Sequence, residues 1–243
     1  TVFQLDSLIT AQAITIGSSD IEIGVNGQIG VRGTTGTVAL TNTAQSQVSY
    51  LGGLADATGY SLDAVEFGKI AADESIAFAT SSDTPAEVVV RDLGLTFGPT
   101  QNIGTGGTFS ITTQGLVRVD GEIALTTASQ FDAFDIDATR IEVASDVGRI
   151  AMQAADTTRQ GRLTLTADEI FVAAASVIPA VDAATTTPQI TALLDQPGTT
   201  PGGLPAIVTG SVIANANDGL YIQNAGATTE YPDRRAFEVN SFA

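Results

Sequence analysis

Three carboxylates within the run FDAFDID, Asp132, Asp135 and Asp137, form the densest cluster of groups able to do chemistry in this chain. Asp135 and Asp137 stand two residues apart, so on a strand they share one face, and Arg140 follows closely. Paired carboxylates of this kind can act as acid and base on a glycosidic bond or ligate Ca²⁺. Asp218, in NANDG, is a further oxygen donor, in a run that reads as a turn. The competing reading of all four is a solvated outer face. Carbohydrate grooves usually carry aromatic platforms, and this chain has no Trp and only 6% aromatics. A second set, Tyr221, Tyr231, Arg234, Arg235 and Phe237, gathers aromatic groups and the one Arg-Arg pair toward the C-terminal end. These residues suit assembly or binding; the plainer reading is a structured end to the fold.

Composition removes most other chemistry. Cys and His are both absent, which excludes disulfides, thiol nucleophiles and every His-dependent triad. No phosphate-cradling GxxxxGK[ST] run occurs, and serines lack a Ser-x-x-Lys partner. The net charge of −17 repels phosphate backbones and anionic lipid, so nucleic acid and membrane insertion are not expected as partners. The same charge favours solubility and, secondarily, cationic partners or divalent ions. No apolar run reaches the roughly 20 residues of a membrane-spanning helix. No cofactor is expected, with Ca²⁺ as the one ion to consider. The abrupt ends, TVFQLDSLIT and NSFA, read as those of a mature product or an excised piece.

The elements that must position these groups announce themselves by repetition. GRIAMQAA (148–155), GEIALTT (121–127), GTVALTN (36–42) and ESIAFAT (74–80) are versions of one phrase. Its apolar letters alternate, which is a strand after a tight turn. A second phrase accompanies it: ATRIEV (138–143), ADEIFV (167–172) and AQAITI (11–16), with TQGLVRV (113–119) and AVEF (64–67) as looser copies. Aligning Ile111, Ile136, Leu165, Ile190 and Ile213 gives steps of 25, 29, 25 and 23 residues. Short strands recurring at 20 to 30 residues, with almost no helix signal, point to an all-β fold, a parallel β-helix or β-solenoid. An antiparallel sandwich or barrel is the alternative, but it has no reason to repeat a strand phrase. In a solenoid, Arg118, Glu142 and Phe171 stack outward on successive rungs, and Phe171 needs cover.

Four stretches depart from the repeat: 44–58, 81–85, 98–107 and 176–205. The last, rich in Pro and Thr, separates coils over 1–175 from terminal coils or a cap over 206–243. Within it, TPQITALLDQPG predicts a short helix over about 188–195, capped by Thr187 and stopped by Pro197-Gly198. That reading is preferred to a rung at Ile190.

Units such as LTLTADEIFV and FDIDATRIEVASDVGRIAMQAA, and the closing DGLYIQNAG and YPDRRAFEV, resemble the repeats of filamentous haemagglutinin-like exoproteins. Those are large Gram-negative surface proteins commonly exported by two-partner secretion. The resemblance implies a β-helical, extracellular or cell-surface, non-enzymatic segment. Its expected partners are a glycan or protein of a host or neighbouring cell, or further copies in a homo-oligomer or filament. The alternative is a polysaccharide lyase or hydrolase on the same scaffold, worked by Asp135 and Asp137.

Overall fold

The computed structural model describes residues 1–45, 47–56, 58–81, 85–129, 131–143, 148–154, 161–173, 207–209, 211–223 and 237–239. Alternating apolar and polar letters force one side of each short strand inward, and each winding repeats the demand. The first winding lays down β1 (Val2–Leu5), β2 (Leu8–Ile9) and β3 (Ala13–Ser18). The second lays down β4 (Asp20–Ile23), β5 (Gln28–Ile29) and β6 (Thr37–Asn42). A more irregular winding follows, with β7 (Ser49–Leu51), β8 (Tyr60–Leu62), helix α1 (Ala64–Phe67) and β9 (Ser75–Thr80). Next come β10 (Val88–Val90), β11 (Leu93–Thr96) and β12 (Thr108–Thr112), then β13 (Leu116–Val119), β14 (Glu122–Thr127) and β15 (Ala133–Asp137). The last described windings hold β16 (Arg140–Val143), β17 (Arg149–Ala154), β18 (Arg162–Ala173), β19 (Ile207–Thr209), β20 (Ser211–Gln223) and β21 (Phe237–Val239).

These strands stack into three faces, every pairing parallel. The first face runs β3-β6-β9-β12-β15 and on into the N-terminal halves of β18 and β20. The second face runs β8-β7-β10-β13-β16 and on into their C-terminal halves. The third runs β11-β14-β17-β19-β21. At the N-terminal end β1 pairs with β4 and β2 with β5. The molecule is a parallel β-solenoid, rising about 4.8 Å per winding.

The lumen is filled by columns of like residues in register. Ile14, Val38, Ile76, Phe109, Phe134 and Leu163 form one; Ile16, Leu40, Phe78, Ile111, Ile136 and Leu165 form its neighbour. All twelve are buried. Phe109 stacks on Phe134 with ring centroids 5.2 Å apart, and meets Phe67 edge-on at 5.4 Å. Such pairs add about 0.5–1.5 kcal/mol each beyond the area they bury. Most polar groups that enter the interior are partnered. Asn42, buried at the end of β6, donates through Nδ2 to Ser49 Oγ at 2.9 Å and accepts the Ala44 N–H at 2.9 Å.

Several sequence expectations shift. The four copies of the repeated phrase do not share one column: β6 and β9 lie on the first face, β14 and β17 on the third. Both faces impose the same alternation, so one phrase serves both. AQAITI likewise becomes β3, stacked on β6 and not with β16. AVEF is α1 and not a rung: Asp63 accepts the Glu66 N–H while the Glu66 carboxylate accepts the Asp63 N–H, a capping box that outweighs the short alternation. The stretch 44–58 contains strand β7. The 25- and 29-residue steps are the register, with Ile111 opposite Ile136 and Ile136 opposite Leu165. The next rung is Ala214 rather than Ile213, which faces out and is 46% exposed. NANDG is not a turn but part of β20, where the register shifts between Ala167 and Glu169, a bulge that lets the strand round a corner. Arg118, Glu142 and Phe171 do stack outward in register. Phe171 is covered, 1% exposed, with the Arg140 guanidinium 4.3 Å over its ring. The helix over 188–195 and the whole excursion 176–205 lie outside the described residues.

Candidate functional site

The carboxylate cluster does not converge. Asp132 is fully buried at the corner between β14 and β15. Its Oδ1 accepts the Gly106 N–H at 2.5 Å, and its Oδ2 accepts the N–H groups of Ala128 and Ser129 at 2.6 and 2.8 Å. Both oxygens are thereby committed to backbone, tying one winding to the next. Asp135 and Asp137 point outward from β15, flanked by Ser110 and Thr164 and by Thr112 and Thr166 on neighbouring rungs. Arg140 turns to Glu142 at 2.6 Å and Glu169 at 3.1 Å. Asp218 falls in β20, at the bulge opposite Asp168. Among the described residues, no group of three or more acidic side chains is disposed to hold a metal ion.

The aromatic set divides similarly. Tyr221 takes the register position after Phe171, and Phe237 the position after Ile207 on the third face. Tyr231, Arg234 and Arg235 lie outside the described residues.

A different place carries an unusual combination of groups. A cavity of about 590 Å³ opens on the solenoid's flank where the loop after β4, the segment after α1 and the loop after β11 come together. Its lining holds the amides Asn26, Gln28, Gln101 and Asn102, with Arg32 and Lys69. Among the described residues no carboxylate lines it, in a chain with 27 Asp and Glu. Lys69 is the chain's single lysine.

Local structure places each group. The capping box starts α1 at Asp63, and Gly68 ends it, delivering Lys69 to the wall. Lys69 Nζ donates to the Ile23 and Gly24 carbonyls at 2.7 and 2.8 Å. Glu66 grips the same strand end, its Oε1 accepting the Ile23 N–H at 2.7 Å. Burial raises the Glu66 pKa above its ordinary 4.5, although the N–H groups of Ile23 and Asp63 pull the other way. Arg32 Nη1 donates to the Ala72 carbonyl at 2.5 Å and pairs with Asp73 at 3.0 Å. Its Nε is buried without a hydrogen-bond partner. Asn102 Nδ2 donates to the Ile70 carbonyl at 2.8 Å, pinning the third wall to the second.

The electrostatic contrast is sharp. Arg32, Arg91, Arg118, Arg140 and Arg149 each pair with a carboxylate. Among the described residues, Lys69 has no carboxylate within salt-bridge distance; two carbonyls hold its ammonium, and the Glu66 charge acts on it from farther off. With two of its protons given to Ile23 and Gly24, the third is left for a ligand. The set can donate hydrogen bonds to hydroxyls and carboxylates. Sequence reasoning passed over this site because it is assembled from three windings. The one available signal was a solitary lysine in a strongly acidic chain. No protein-family model, curated protein or solved structure matches this chain.

Proposed function

We propose that this chain is a non-enzymatic, extracellular β-solenoid segment of a bacterial surface exoprotein of the filamentous haemagglutinin type, acting as a stiff spacer with adhesive walls. The observation that carries the reading is the unbroken in-register stacking of luminal columns from Ile14 to Leu163. Rigidity comes from the lumen, so outward positions are free to vary and to bind. The outward positions of β3, β6, β9 and β12 are all Ala, Gly, Ser or Thr, an uncharged wall on a chain of net charge −17. Copies that join end to end would use the strand edges of β1, β2 and β3, each paired on one side.

The test pairs binding with turnover. The purified chain is offered a panel of bacterial and host polysaccharides, and retention on each is measured beside release of reducing ends or unsaturated uronates. Retention without release supports adhesion. Release that disappears in Asp135→Ala or Asp137→Ala would establish the lyase or hydrolase alternative instead.

A further inference from the structure

From the groove around Lys69 we infer a binding site for a short saccharide carrying one carboxylate, a uronic-acid unit joined to a neutral sugar. The inference rests on the adhesive reading and names the ligand class for one of its walls.

Three amides at the mouth of one concavity, Asn26, Gln28 and Gln101, suit a polyhydroxylated ligand, because an amide can serve neighbouring hydroxyls as donor and acceptor. Gln101 Oε1 also accepts from Thr96, and Asn102 is spent on the Ile70 carbonyl and the Thr96 hydroxyl. Asn26, Gln28 and Gln101 are exposed at the rim. The Asn26 side chain has no hydrogen-bond partner among the described residues, and Gln28 spends only Nε2, on the Gly30 carbonyl at 3.1 Å. The cations specify the charge. Lys69 retains one proton beyond those given to the Ile23 and Gly24 carbonyls.

The net charge sets the ligand's size. A long polyuronate would meet the field of the whole chain, whereas a single carboxylate meets Lys69 at contact. Screening at physiological salt acts over about 8 Å. Within the immediate surroundings Asp73 is already held by Arg32 and the Gly33 N–H, Glu66 by two backbone N–H groups, and Asp6 by the Asn26 N–H. Local attraction therefore wins for a monoanion and loses for a polyanion. The volume of about 590 Å³ lies within the usual range for small-ligand sites and suits two or three sugar units.

A solitary lysine makes the experiment direct. The full chain, labelled with ¹³C-lysine only, gives one lysine spin system and needs no assignment. It is titrated with cellobiouronic acid and with cellobiose, which differ by a single carboxylate. The expected result is a saturable shift of the Lys69 ¹³Cε resonance with cellobiouronic acid and at least tenfold weaker binding of cellobiose. Gln101→Ala, on the exposed rim, should weaken cellobiouronic acid several-fold while the fold, read by circular dichroism, is unchanged. Equal response to the two sugars, or an unmoved Lys69 resonance, overturns the assignment. Binding heat with a silent lysine overturns this groove while leaving adhesion elsewhere on the wall standing.

Discussion

The hydroxyls of Thr80 and Thr113 meet 2.8 Å apart inside the corner between the first and second faces. Thr113 gives its one proton to the Ala86 carbonyl at 2.9 Å. Thr80 is therefore the donor in the pair, and Thr113 also accepts the Gly115 N–H at 3.2 Å. One hydroxyl thus satisfies three neighbours across two windings. Thr113→Val leaves all three unmet and should cost about 1–3 kcal/mol in urea unfolding. Thr113→Ser should retain most of the stability. Adding Thr80→Val to Thr113→Val should cost little more, since the orphaned donor is removed; fully additive losses would show that the two are not coupled.

Tyr60 makes the opposite case. Its ring is fully buried against Phe78, centroids 5.3 Å apart, and its hydroxyl has no partner. Tyr60→Phe should raise stability by about 1 kcal/mol, because the ring packing stays and an unsatisfied group goes. Burial, followed by the charges of Asp20 and Glu66, holds the phenol pKa well above its ordinary 10. The folded state thus keeps a proton that the unfolded chain releases, so stability is intact below about pH 10 and falls above it. The variant should lose that alkaline fall, as read by unfolding midpoints above pH 10.

Glu66 should leave a signature at acid pH. With its folded pKa raised above 4.5 by burial, the folded state holds this proton more tightly than the unfolded one. Its contribution is complete below the unfolded value and is lost as pH rises through the folded one. The difference in thermal midpoint between the parent chain and Glu66→Gln, followed upward from about pH 4, should shift in favour of the variant. A flat difference would mean that the two backbone hydrogen bonds cancel the cost of burial.

Asp132 is a staple, and its loss should be the costliest of the polar substitutions. Asp132→Ala abandons three part-buried backbone N–H groups that converge on a buried carboxylate, at a cost of about 3 kcal/mol. Asp132→Asn restores one acceptor but sets an NH₂ against donors, so it should rescue only part. Denaturant midpoints decide the order.

Gly30 adopts φ +77°, and a Cβ there would lie 2.0 Å from the Ala71 carbonyl oxygen. Gly30→Ala combines left-handed strain with a clash against fixed backbone. It should lower the thermal midpoint by many degrees and, because the position borders the Lys69 groove, disturb that wall as well. Gly115→Ala, whose Cβ would meet the Ala86 carbonyl oxygen at 2.1 Å, should be comparably damaging without touching the groove.

How far the sequence could be read depended on how many windings a feature spans. Ile111, Ile136 and Leu165 declared their register because one strand's alternation is a local property. Asp135 and Asp137 were rightly placed on one strand face for the same reason. Asp132 was grouped with them by proximity, yet the corner before β15 turns it inward, and only the three-dimensional course of 106–129 reveals its donors. The helix at 64–67 had a legible mark, Asp63 three residues before Glu66, which the short apolar alternation of AVEF masked. The Lys69 groove had no contiguous mark, since its walls sit tens of residues apart and meet only after stacking.

The position of β8 has a consequence for the order in which the molecule can assemble. Tyr60–Leu62 pairs with β7 on the side away from β10, and the Ser61 N–H reaches back to Asp20 at the start of β4. The chain therefore doubles back and inserts a rung between two that precede it. A nascent chain winding up in the order it emerges would leave a slot open until Leu62 arrives. The early windings therefore stay incomplete until Leu62 fills that slot and Glu66 and Lys69 clamp the end of β4 behind it.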